Sequence, residues 1–191
     1  MINRARVLFA FNEHKTVEAA AHLIDLAGGE LDLIVLLKLL YHADRRALIE
    51  RGLPITGDQM VSMKLGPVLS RVYDTTKGQF AGIRSWPEFI SAPPPNDPNK
   101  PVRLRKRPPQ GQLSRYERAV LDGIYAEHGK RDKWEFIEST HKLPEHRDPG
   151  SSRLAIDPTV ILRDAGKTTE DISWFEEIVR TSRQAARLRA Q

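Results

Sequence analysis

The chain has 191 residues, with 30 Lys and Arg against 25 Asp and Glu, a formal charge of +5, six His and no Cys. The length suits one buried core, and the absence of Cys excludes a disulfide framework, a C-x-x-C redox site, thiolate zinc fingers and a cysteine nucleophile. The longest near-apolar run, Leu31 to Leu40, is broken by Asp32 and Lys38 and is too short to cross a bilayer. The N-terminal residues open no signal-peptide pattern, so the expectation is a cytoplasmic protein.

The first amphipathic helix is predicted from about Thr16 to Leu26, with Val17, Ala20, Ala21, Ile24 and Leu23 inward and Gly28-Gly29 ending it. Asp32 is placed to cap a second helix that runs to about Arg51 and stops at Gly52 and Pro54. Its first turns are apolar all round, which marks a helix buried on several sides. Lys38 interrupts that run. An ammonium group is costly in an apolar interior, so the expected solution is a stem that snorkels along the surface. The alternative is a partner from another element, which would put Lys38 in a binding cleft.

Gln59 to Leu65 is predicted as a short strand, paired with Val102 to Lys106 as a half-exposed edge strand. Gly66-Pro67 forms a turn, with Pro67 in the first turn of a helix covering Val68 to Lys77. Gly78 to Ile90 reads as irregular and partly packed. Five prolines between Ala92 and Pro101 exclude helix and favour an extended loop.

In the second half, Ser114 and Glu117 form a capping box for a helix ending near His128, with Gly129 closing it. Asp132 and Glu135 open a helix that ends near Thr140-His141. Asp157-Pro158 starts a short helix ending at Gly166. A last helix from about Glu170 buries Ile172, Phe175, Ile178 and Val179 ahead of a basic end at 180–191. The fold class expected is therefore mainly α: one compact multi-helix domain over residues 1–191, with a small antiparallel β element and the proline-rich loop 92–101 inside it.

The basic excess is local. Arg103, Arg105, Lys106 and Arg107 crowd one stretch, and Arg180, Arg183, Arg187 and Arg189 the other; without these eight, 22 basic residues face 25 acidic ones. No aromatic residue lies within either cluster to stack on a base, so solvated surface is favoured over nucleic-acid binding. The last two helices have a turn suited to a helix-turn-helix, but the arginines come late, whereas a recognition helix reads bases with its N-terminal residues. His42 and Asp44 sit two apart on a helix and make a poor chelating pair. No H-E-x-x-H, G-x-S-x-G or phosphate-loop pattern occurs. Structural roles are expected for the histidines, no metal or other cofactor is expected, and the chain is read as a non-enzyme.

The most specific pattern is Lys38-Leu39-Leu40-Tyr41-His42-Ala43-Asp44, then Gly52-Leu53-Pro54-Ile55-Thr56-Gly57-Asp58, then Met63-Lys64-Leu65-Gly66-Pro67-Val68, closed by Val72-Tyr73. It resembles the Panacea domain of SocA-like antitoxins, a family that also includes phage-associated proteins. The second half follows with Ala119-Val120-Leu121-Asp122, Tyr125, Gly129, Ser139-Thr140-His141 and Leu143-Pro144-Glu145; His146 stands where the pattern carries Trp. The resemblance spans roughly Ala19 to Ala165. It implies a mostly helical fold with a small antiparallel sheet, no catalysis, and direct binding of an adjacently encoded toxin. One branch of the family delivers its toxin to a ClpXP-type protease, which implies that second partner.

From the residues themselves, Gly57 permits a tight bend, Asp58 can cap backbone amides, Gly66-Pro67 redirects the chain, and His141 can serve a helix end; these are read as structural. A partner surface is placed around Tyr41, Lys64, Tyr73 and the edge strand with Arg103, Arg105 and Lys106, with Lys38, Asp44 and Val68 assigned to it as well. The alternatives are a DNA-binding regulator using the basic patches and, more weakly, a hydrolase with a His/Asp site.

Overall fold

The computed structural model describes residues 9–79, 83–91 and 101–189. The proline-rich stretch 92–100 and the side chains of Arg183, Arg187 and Arg189 lie outside what is described. Helix α1 (Glu13–Leu26) begins a turn earlier than expected because the Asn12 side chain accepts the Lys15 N–H at 2.9 Å. Short strand β1 (Glu30–Leu31) follows, and Asp32 then caps α2 (Leu33–Arg51) by accepting from the Ile34 N–H. Gly52, at φ 72°, ends α2 in the left-handed region that glycine enters without strain.

Helix α2 is the axle of the molecule. Every residue from Val35 to Tyr41 is buried. It packs against α1, against α5 (Arg115–His128), α6 (Lys133–His141) and α7 (Pro158–Asp164), and against strand β3 (Val68–Leu69). The capping box predicted at Ser114 and Glu117 is formed, and Asp132 and Asp157 cap α6 and α7. The last helix, α8 (Thr169–Arg189), buries Ile172, Phe175 and Val179, while Ile178 is only partly covered. The fold class is mainly α with a minor antiparallel β component, as expected.

The strand pairing differs from expectation. Strand β2 (Met60–Ser62) pairs antiparallel with β3 on one side and with β5 (Leu154–Ala155) on the other. Strand β4 (Val102–Arg103) belongs to a separate ladder with β1. Residues 102–104 are also no open edge. Leu104 donates to the Gly29 carbonyl on one side, and Ser91 and Arg105 exchange bonds with Arg103 and Phe89 on the other. Val68 and Leu69, expected in a helix, form β3, and α3 (Ser70–Thr76) starts after them. Among its described residues, the segment before Ile90 forms a short helix, α4 (Trp86–Phe89). Among the described residues no helix is long and apolar enough to cross a membrane.

Candidate functional site

Lys38, Tyr41 and Arg45 lie at i, i+3 and i+7 on α2 and so share one stripe. That stripe faces the β2–β3 turn and the loop after α6. Lys38 is 1% exposed, and its Nζ donates to the Pro67 carbonyl at 2.9 Å. The expected snorkelling does not occur, because β3 and the Gly66-Pro67 turn close over the stem. No carboxylate lies within ion-pair distance of this amine among the described residues, and burial pulls its pKa down to about 7. Gly66, at φ 86°, makes the closure possible: a Cβ there would collide with Thr140 Oγ1 and stand 2.7 Å from Lys38 Nζ.

One turn along, Tyr41 Oη donates to Glu145 Oε1 at 2.6 Å, and Arg45 Nε donates to the same oxygen at 2.7 Å. Burial, then the charge of Glu145, holds the Tyr41 hydroxyl well above its ordinary range. Glu145, whose side chain is fully buried, thereby straps the loop after α6 onto α2. Asp44 accepts both the Thr56 N–H at 2.9 Å and the Thr56 hydroxyl at 2.5 Å, and burial pushes its pKa up to about 7. Asp58 accepts the N–H groups of Gln59, Arg71 and Val72 at 2.7, 2.8 and 3.1 Å, so it caps the first turn of α3. Burial raises its pKa to about 6. Gly57, at φ 71°, brings the backbone so close to Ala10 that a side chain would strike the Ala10 carbonyl.

Four residues assigned to the partner surface are therefore corrected: Lys38, Tyr41, Asp44 and Val68 are buried. Gly57 and Asp58 sit in structural settings, and Gly66-Pro67 forms a turn that leads into strand β3 rather than into the first turn of a helix. His141 ends α6, but its ring stacks on His146 at 4.9 Å between centroids rather than capping carbonyls. Lys64 is exposed, and Tyr73 is half-buried under the Lys77 ammonium. Arg103, Arg105 and Lys106 are exposed but sit on the other ladder, where Arg103 pairs with Glu30 and Lys106 with Glu88. The predicted surface is thus split between two places.

His42 and Asp44 point apart. The His42 ring packs against both His128 and Phe136, at 5.0 and 5.3 Å, while those two rings stack on each other and Asp44 faces Thr56. Burial first, then the charges of His128 and Arg45, drives the His42 pKa down to about 3, so it is neutral. No cluster of three or more metal-ligating side chains occurs among the described residues. Sequence reasoning assigned no buried role to two carboxylates. Glu145 is one; the other is Glu18, which accepts N–H groups from Gly111, Gln112 and Leu113 and pairs with Arg118. The only signal for Glu18 was a carboxylate set among Val17, Ala19, Ala20 and Ala21 on an inward face.

The arrangement defines a helical domain in which the motif side chains fasten the β2–β3 hairpin and the post-α6 loop to a buried central helix. Residues 36–145 match the description "Antitoxin SocA-like, Panacea domain", a span that begins within α2 and closes on Glu145, the partner of Tyr41. The chain belongs to this antitoxin-like family, and that membership supports a general antitoxin role. No curated protein and no solved structure matches the chain.

Proposed function

We propose that this chain neutralises a toxic protein by binding it directly and covering its working surface, with no bond made or broken. The observation that supports this is the fate of the family-defining polar side chains. Lys38, Tyr41, Asp44 and Asp58 are each bonded to the chain's own atoms and withdrawn from solvent. Groups so committed stabilise a scaffold, and recognition is left to the exposed residues on its outside. Such a division of labour suits a domain that meets different toxins on one framework.

The test is co-expression with each neighbouring open reading frame. Rescue of growth from one toxic neighbour, together with co-elution of the two proteins, is the expected result; failure with every neighbour refutes the reading. Following the neighbour's half-life in cells with and without a ClpXP-type protease decides whether neutralisation includes delivery for degradation. A DNA-binding regulator has less behind it, because Arg103, Lys106 and Arg107 are matched by Glu30, Glu88 and Asp25. A salt-dependent shift of promoter DNA would revive it.

A further inference from the structure

The β2–β3 turn, the end of α6 and the loop after it meet at one corner. Lys64 and Leu65 are exposed on the turn, His141 and Lys142 at the helix end, and Arg147 on the loop. Three sets of contacts hold these segments side by side. Gly66 rests against Thr140, Lys38 and His141; the His141 and His146 rings stack; and Ser62 Oγ binds both the N–H and the C=O of Arg147 at 2.9 and 2.7 Å. Leu154, across from Ser62 in β5, adds a second exposed leucine; it and Leu65 are each 45% exposed.

The charge of this corner is unbalanced. Among the described residues, no carboxylate lies within ion-pair distance of Lys64, Lys142, Arg147 or the buried Lys38. Of the nearby acids, Glu145 is bonded to Tyr41 and Arg45, and Asp148, which accepts the Gly150 N–H, is a single carboxylate charge beside His146 set against Lys64, Lys142 and Arg147. In the other exposed basic stretch, 103–107, Arg103, Lys106 and Arg107 each pair with a carboxylate. Cations left without counter-charge draw an oppositely charged partner and set its orientation, while aliphatic side chains reward apolar contact.

Resting on the neutralisation reading, we infer that this corner is the docking surface, and that it takes an acidic segment of the partner protein. Carboxylates of that segment meet Lys64, Lys142 and Arg147, and an apolar side chain packs on Leu65 and Leu154. Exposed leucines favour a polypeptide over nucleic acid, whose sugar-phosphate backbone makes no use of them.

The full chain is titrated by fluorescence anisotropy with a short labelled peptide alternating Glu and Leu, and separately with duplex DNA. The comparison is with a Lys64→Glu/Lys142→Glu/Arg147→Glu variant and with Leu65→Ser. All four positions are exposed, and circular dichroism confirms folding. Expected are peptide binding that weakens with salt, a loss of at least about tenfold on triple charge reversal, and a smaller loss for Leu65→Ser. Absence of peptide binding, equal binding by the triple variant, or preference for DNA overturns the inference. The growth assay separates the two readings. A triple variant that neutralises as well as the parent overturns the corner and leaves neutralisation standing. A parent that rescues no neighbour refutes neutralisation, and the peptide titration still judges the corner.

Discussion

Replacing Lys38 with Met should make the protein at least as stable at neutral pH and should change the slope of its stability against pH. In the unfolded chain the amine titrates near 10.5, and in the folded chain near about 7. Between those values the unfolded state binds a proton that the folded state has given up, so parent stability rises with pH across that window and lies at its lowest below it. At about 1.4 kcal/mol per unit, the burden on the folded parent below neutrality is about 5 kcal/mol. Met removes it and keeps most of the buried stem volume. It also strands the Pro67 carbonyl, now satisfied by Nζ at 2.9 Å, at a pH-independent cost of about 1–3 kcal/mol. The net expectation at pH 7 is a Lys38→Met variant more stable by about 2 kcal/mol. By about pH 9.5 the parent recovers about 3 kcal/mol and the order reverses. Urea denaturation of both proteins at matched ionic strength across this range reads the difference directly, and titrations common to both cancel. Parallel curves would mean that the folded protein leaves the amine in water, and the account of the Gly66-Pro67 closure would fall with it.

Gly66→Ala should lose at least about 3 kcal/mol, combining strain at φ 86° with overlap against Thr140 Oγ1 and Lys38 Nζ; a melting temperature within a few degrees of the parent would contradict this. Tyr41→Phe removes one of the two donors to the Glu145 Oε1 atom and should cost about 1–2 kcal/mol in urea denaturation, with no loss expected if that bond is absent in solution. For Asp44 the pH dependence runs opposite to that of Lys38. Its folded pKa, raised by burial from 3.8 to about 7, means that the folded state holds a proton the unfolded state releases, so its contribution to stability declines as pH rises through that window. The stability of Asp44→Asn relative to the parent should therefore increase from acid to neutral pH, and a constant difference would refute the dominance of burial over the two Thr56 hydrogen bonds.

Much of the helical layout could be read from the chain because its signals are local. A cap bond closes within about three residues, so Asp32, Ser114 with Glu117, Asp132 and Asp157 announce helix starts without reference to anything distant. The apolar run of α2, interrupted only by Lys38, likewise declares burial on all sides, and linked motifs in fixed order point to the family. The one early start that escaped notice, at Asn12, uses a cap whose following turn, Glu13-His14-Lys15, shows no apolar face.

What depended on three dimensions was which distant groups meet. Lys38 and Pro67 are 29 residues apart, and Tyr41 and Glu145 are 104 apart. Strands of two or three residues offer too few alternating positions to specify a partner, so β2 could as readily have been matched with Val102 as with Val68 and Leu154. Periodicity shows that a lysine lies on an apolar helix, but only the approach of a side-chain-free Gly66 explains why its amine stays inside. The same separation decides the surface. Lys64, Lys142 and Arg147 carry no common pattern along the chain, and they form one charged corner because Ser62, Gly66 and the stacked histidines bring three segments to a single place.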